Sequence, residues 1–334
     1  MLEVQERPRT ARATWNGGLY GRLAIFTGNA HPELARAVCR YLGVELGRAE
    51  VFQFSNENIF VKINQNVRAH DVFVVQPTYP DVNRSVMELL IMLDALKRAS
   101  ASRVTAVIPY FAYGRSDKKD QPRVPITARL IADMLQVAGA DRVLTLDLHA
   151  GQVQGFFKIP VDELTALSLL ADHFRSLDLP EPVVVAVDLG FAKKARNFAE
   201  LMRAPIAFVE KRRLGNADRS ETLGIIGEVR GRTAILIDDE VDTAGSITEA
   251  ARAIALAGAH DIYAGCVHAV LSGPAVQRLA ASPIRQLVCT DSIALPPHKR
   301  LDLIHQLTVA DLLGEAIGRI HTGESVGALF GAPV

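Results

Sequence analysis

Short runs of apolar, largely β-branched residues alternate along the chain with longer stretches whose apolar positions recur every three or four residues. The continuous runs at 23–27, 72–76, 103–108, 143–147, 183–187, 234–237 and 262–267 predict strands, and 32–41, 86–99, 128–137, 192–202 and 247–257 predict helices. Strands that are apolar along their whole length are buried on both faces, as in parallel sheets covered by helices. The pattern predicts an α/β fold. The helix over 86–96 is apolar almost all round, which places it in a core or subunit contact, with Met87 and Met92 as filler.

A partial internal echo bears on the number of domains. Residues 136–150 line up with 255–269, each a helix stopped by glycine (Gly139, Gly258) and a strand ending at histidine (His149, His268). The 334 residues leave room for two domains of about 100–200 residues each. Two related domains are expected, divided near 160–165: an extension over 1–20, domains over 21–163 and 164–309, and a closing helix and tail over 310–334 that packs back on the first.

Composition adds mainly exclusions. With 49% hydrophobic and 22% charged residues the chain is neither disordered nor fibrous. Thirty-seven basic residues balance thirty-seven acidic ones, which removes the electrostatic case for broad nucleic-acid binding. The three cysteines (Cys39, Cys266, Cys289) form no CxxC motif, and a reducing, cytoplasmic setting is expected. No run approaches the ~18–20 uncharged residues of a membrane helix. The first twenty residues carry Arg7, Arg9 and Arg12 but no apolar core, and are read as a flexible extension rather than a signal peptide.

The segment 234–246 carries the most chemistry. It reads as a strand, the acids Asp238 and Asp239, then Asp242-Thr243-Ala244-Gly245-Ser246 opening a helix marked by Ile247, Ala250, Ala251, Ile254 and Ala257. Such a loop aims backbone N–H groups and hydroxyls at one spot, where the helix dipole also favours an anion. A carboxylate ~4 Å from a phosphate costs on the order of 4 kcal/mol at an effective dielectric of ~20, so the acids must serve sugar hydroxyls or a metal ion. The pattern describes a site for a phosphorylated ribose. An acidic strand end with an ordinary helix cap is the alternative.

The motif resembles the ribose-phosphate fingerprint of type I phosphoribosyltransferase folds. Met87-Glu-Leu-Leu-Ile-Met, Asp94-Ala-Leu-Lys-Arg-Ala-Ser-Ala, Val107-Ile-Pro-Tyr, Asp147-Leu-His149-Ala, Gln154-Gly-Phe-Phe, Lys211-Arg212-Arg213 and Ser272-Gly-Pro-Ala narrow it to the ribose-phosphate pyrophosphokinases, in order and spacing, from about residue 23 to 330. The resemblance implies two related phosphoribosyltransferase-like domains, each a mainly parallel sheet flanked by helices. It also implies transfer of pyrophosphate from Mg-ATP to the anomeric hydroxyl of ribose 5-phosphate. Alternatives are a silent regulatory subunit of the same family and a phosphoribosyltransferase.

By the same resemblance, Lys211 and Arg213 are catalytic. Asp238, Asp239, Asp242, Thr243, Ala244, Gly245 and Ser246, with Arg213, hold ribose 5-phosphate. Phe54, Asn56, Glu57, Asn58, Arg115, Ser116, Asp117 and His149 meet ATP, and His149 and Asp188 bind Mg2+. Adenine is held across a subunit contact, implying at least a dimer and, in this family, a hexamer. The chain departs from the family pattern at Asn58 (usually glutamate), Ser116 (glutamine), Lys158 (aspartate), Phe191 (glycine) and Ser246 (threonine). Asn58 and Ser116 bear on adenine recognition, and Phe191 on space beside the ribose.

Overall fold

The computed structural model describes Trp15 and residues 18–188, 190–213 and 221–329, with the side chains of 211–213, 221–223 and Ala328 outside that description. The first half runs β1 (Leu23–Thr27), α1 (Pro32–Leu42), a hairpin of β2 (Ala49–Gln53) and β3 (Ile59–Ile63), β4 (Asp71–Val75), α2 (Val82–Arg98), β5 (Arg103–Ile108), α3 (Thr127–Val137), β6 (Arg142–Leu146) and β7 (Val161–Leu164). Strands β1, β4, β5, β6 and β7 lie side by side in that order, all parallel, while the hairpin forms a separate ribbon.

The second half repeats the run. Helix α4 (Leu167–Ser176) leads into β8 (Pro182–Ala186), α5 (Ala192–Met202), a hairpin of β9 (Ile206–Arg213) and β10 (Glu221–Ile226), β11 (Thr233–Val241) and α6 (Gly245–Leu256). Then follow β12 (Asp261–Ala269), α7 (Ala275–Ala280), β13 (Gln286–Thr290), β14 (Ile304–Leu307) and α8 (Ala310–Thr322). The sheet order is β10-β9-β8-β11-β12-β13-β14, parallel except for the β9–β10 pair. The chain moves outward from β8 to β10 and then returns to the other side of β8 as β11. That reversal is a topological switch point, where open α/β sheets bind ligands beyond the carboxyl ends of the strands.

Position by position, β1 corresponds to β8, β4 to β11, β5 to β12 and β6 to β13. The echo in the sequence pairs different strands, because 136–150 ends after β6 and 255–269 in β12. A helix followed by a left-handed residue and then a strand recurs at several αβ junctions (Ser100 before β5, Gly139 before β6, Arg203 before β9, Gly258 before β12), and the match fell on neighbouring units instead of equivalent ones.

The halves exchange helices. Helix α4 follows the last strand of the first sheet but packs on α5, with Phe174 edge-on to Phe198 (centroids 6.2 Å apart). Helix α8 returns to α1, where the Tyr41 hydroxyl donates to Glu315 at 2.7 Å. Gly314 is required there, since a Cβ would lie 2.4 Å from the Tyr41 ring. Under α8, Arg103 forms a fork to buried Asp71 (2.7 and 2.6 Å) and donates to the Ile320 carbonyl at 3.0 Å, and His321 Nδ1 lies 2.8 Å from Asp71. Tyr20 covers the guanidinium at 4.2 Å, and Trp15 lies against Gly318. Within the extension read as flexible, Trp15 therefore packs against α8 and Tyr20 lies over the Arg103 guanidinium. Residues 1–14, 16 and 17 lie outside the described residues.

Among the described residues no helix is long and apolar enough to cross a membrane, and all three cysteines are free and buried. The Asp71 knot gives a stability test. Asp71→Asn leaves the Arg103 guanidinium buried without its counter-charge and should cost about 3–5 kcal/mol in urea unfolding. A loss below about 1 kcal/mol would show that the knot does not hold α8 to the first half.

Candidate active site

Strand β11 extends further than its apolar run predicts. Asp238, Asp239 and Glu240 lie on the strand itself, held by pairing of Asp238 with Cys266 and Glu240 with His268 on β12. On the other side pairing with β8 stops at Ile237–Ala186, so the two strands part there. Asp188, just past β8, faces the acids across the opening. A cleft of about 360 Å³ results, lined by Arg115, His149, Asp188, Asp238, Asp239, Glu240 and residues 241–247.

The loop 242–246 is braced from outside. The backbone N–H groups of Val270 and Leu271 donate to the Val241 carbonyl, and that of Ser272 to the Asp242 carbonyl (3.0–3.1 Å). The Ser272 hydroxyl donates to the Asp242 carboxylate. Arg278, on α7, donates to the Thr243 carbonyl at 3.0 Å, and the Thr248 hydroxyl to that of Ala244 at 2.7 Å. With these carbonyls engaged behind the loop and Ala244 in the left-handed region (φ 58°), the chain turns sharply into α6, which has no side-chain cap. The first-turn N–H groups of a helix have no partner within it, so this end offers donors and a positive dipole to an anion.

Two side chains reach the cleft from the first half. His149, beyond β6, places Nδ1 2.8 Å from Asp239. Arg115, between β5 and α3, places one Nη 3.2 Å from Glu240 and the other 3.4 Å from Asp242. Lys194 on α5 donates to the Leu148 carbonyl at 2.9 Å, and buried His268 lies against the Asp147 carbonyl and the Ser292 hydroxyl. His268 is thus a hydrogen-bonded structural residue, as its sequence context indicates.

Five carboxylates converge here, and their environments set them apart. Burial, with the adjacent Asp239 charge, pushes Asp238 well above the carboxylate range. Burial also opposes ionisation of Asp239, but hydrogen bonds received from His149 and from the Asp238 carboxyl outweigh it and hold that carboxyl below the range. Glu240 is pushed up to about 7, chiefly by burial, with Arg115 pulling the other way. The hydrogen bond to Asp239 raises His149 above the ordinary imidazole value in spite of partial burial.

Residues 23–139 match the family model of the N-terminal domain of ribose phosphate pyrophosphokinase, and 214–331 that of the phosphoribosyl synthetase-associated domain. The chain is 51% identical over 311 residues to a ribose-phosphate pyrophosphokinase of Clostridium perfringens, covering 92% of this chain and 97% of that protein. It is 48% identical over 312 residues to the Bacillus cereus protein of that name, covering 93% and 98%. The chain belongs to the ribose-phosphate pyrophosphokinase family. The crystal structure of phosphoribosylpyrophosphate synthetase from Mycobacterium smegmatis superposes with a TM-score of 0.85 at 40% identity, over 90% of this chain and 98% of that one. As a member of the family the chain is an enzyme, with two phosphoribosyltransferase-like halves.

The structure brings most of the pyrophosphokinase residues expected from the sequence into one place. Asp188, Asp238, Asp239, 242–246, Arg115 and His149 all line the cleft. Phe54, Asn56, Glu57 and Asn58 do not. They form the exposed turn of the β2–β3 hairpin, where Phe54 N–H donates to the Asn58 carbonyl at 2.8 Å and Glu57 sits at φ 69°. The Ser116 hydroxyl accepts from Thr127 N–H at the start of α3, and buried Asp117 accepts from Gln152. Phe191 is buried in the core, with only its N–H directed at Asp188, so it leaves the cleft open. Lys211 and Arg213 occupy the end of β9, which runs parallel to β8 with Phe208 beside Ala186, and so lead to the same edge as Asp188. Their side chains lie outside the described residues. The sequence reading missed Glu240, Arg278 and Lys194: Glu240 stands within the 234–246 segment but its partner Arg115 comes from the other half, and Arg278 and Lys194 stand in no motif and act through contacts with distant elements.

The Asp239 contact predicts the titration of His149. A carboxylate stabilises imidazolium, so His149 should titrate above the ordinary histidine value and fall back toward it in Asp239→Asn. Histidine-labelled NMR, with the resonance assigned by His149→Gln, reads this directly, and an unchanged value in Asp239→Asn would contradict the pairing.

Proposed function

We propose that this pyrophosphokinase forms 5-phosphoribosyl 1-pyrophosphate and AMP from ATP and ribose 5-phosphate in the cleft at the end of β11. The observation carrying the reading is an acid-ended strand leading into an uncapped helix, opposed by cationic side chains from the other half. The 5-phosphate meets the first-turn N–H groups of α6 and the hydroxyls of Thr243 and Ser246. Asp238 and Asp239 accept from the ribose hydroxyls. That use resolves the conflict between anion-binding loop and carboxylates, since the acids face the sugar and not its phosphate.

The anomeric oxygen attacks the β-phosphorus of ATP, a bond forms there as its proton leaves, and the bond from the β-phosphorus to the AMP oxygen breaks. Little covalent chemistry falls to the protein, and positioning with charge neutralisation dominates. Arg115 and His149 face the nucleotide from the first half. Lys211 and Arg213 supply a point charge and a bidentate donor for the transferring group.

Family membership makes the enzyme metal-dependent, and the residues suit Mg2+. His149, held through Nδ1 by Asp239, has the carboxylate-anchored geometry of imidazoles that use their other nitrogen for a metal. Asp188 adds a carboxylate at the cleft. Among the described residues no three His, Cys, Asp or Glu side chains form a ready cage. When bound, Mg2+ would neutralise phosphate charge.

Since Phe54, Asn56, Glu57 and Asn58 lie apart from their own chain's cleft, the adenine contact they imply is supplied between copies, at least a dimer and by family resemblance a hexamer. Ser116 and Asp117 support the nucleotide loop from its base. Three free, buried thiols suit a reducing, cytoplasmic setting.

Purified protein with ATP, Mg2+ and ribose 5-phosphate should release one AMP per product formed. Lys211→Ala should lower turnover by about 10³-fold or more with an unchanged far-UV spectrum. No AMP from the wild type, with altered activity of an added synthetase, would favour the silent-subunit reading.

A further inference from the structure

Glu240 has no part in the scheme above, yet it is buried in the middle of the site. Its side chain is only 7% exposed, and its carboxylate receives Arg115 at 3.2 Å and the Tyr110 hydroxyl at 3.5 Å. A buried carboxylate persists when it is paired, and the cation here comes from the opposite half of the molecule. The same guanidinium reaches Asp242 at 3.4 Å, and Asp242 is tied through its other oxygen to Ser272. Residues 240 and 242 are alternate positions of an extended segment and present their side chains to one side. One guanidinium thus spans the end of β11 and the start of the sugar-phosphate loop. These contacts use two of its five N–H donors, and the Arg115 side chain stays 50% exposed, so it can meet a phosphate without leaving either carboxylate.

We propose that Glu240 is a positioning residue that couples the two substrates: by fixing Arg115 against the loop 242–246, it makes the order imposed by ribose 5-phosphate also order the cation that meets the nucleotide. The inference rests on the reading of the cleft given above. Coupling of this kind is reciprocal, so the nucleotide tightens the sugar phosphate by the same factor. Tyr110 supports the carboxylate from the first half, and its ring lies 5.1 Å from that of His268, part of the same junction.

Calorimetric titration with the unreactive Mg–α,β-methylene-ATP, with and without ribose 5-phosphate, tests it. In the wild type the sugar phosphate should tighten the analogue about five-fold or more. Glu240→Gln, which keeps the shape but removes the charge, should bring that factor to within about two-fold of one while leaving the affinity for ribose 5-phosphate alone within about two-fold. Arg115→Ala, at a half-exposed side chain, should abolish the coupling and also weaken the analogue alone. A full coupling factor in Glu240→Gln, or none in the wild type, overturns the proposal. An analogue that fails to bind the wild type overturns the assignment of the cleft itself, a result distinct from lost coupling.

Discussion

Five carboxylates share one cleft at the end of β11, and the rest of the structure answers that constraint. Two unit charges ~4 Å apart repel by about 4 kcal/mol at an effective dielectric of ~20, so the cluster cannot stand without cations or a withheld proton. The fold supplies both. His149 and Arg115 arrive from the first half, Lys194 approaches from α5, and Asp238 is driven toward its neutral form beside an ionised Asp239. In the function proposed above, Arg115 and His149, which balance the acids, are also the groups that meet the polyphosphate. Charge balance in the cleft is met by contacts across the junction.

That arrangement depends on the halves being held in register, and the exchanged helices serve this end. Helix α4 leaves the first sheet to pack on α5, and α8 returns to α1 over the Asp71–Arg103–His321 knot. A hinge between independent domains would let His149 and Arg115 drift from Asp239 and Glu240. Two crossing helices, with Lys299 joining Tyr79 (2.6 Å) to the Val270 carbonyl (2.8 Å), leave little room for that.

Much of the fold was legible in the sequence, for a physical reason. Strands buried on both faces must be apolar throughout, so β1, β5 and β8 announce themselves within a residue. The hairpin β2–β3 escaped because its strands are half exposed and lack that signature. The repeat was sensed but aligned one unit off, since local αβ junctions resemble one another more than equivalent strands do. In the site, the Asp-Thr-x-Gly-Ser loop was readable because it is contiguous. The roles of Glu240 and Arg278 were not, because partners such as Arg115 and the Thr243 carbonyl come close only through the fold.

A crystal structure with ribose 5-phosphate and an unreactive ATP analogue tests the central claim most directly. The account requires the sugar's phosphate on the backbone N–H groups at the start of α6, its hydroxyls on Asp238 and Asp239, and the polyphosphate beside Arg115 and His149. A sugar phosphate bound elsewhere, or those two side chains swung away from β11 with both ligands in place, would contradict it.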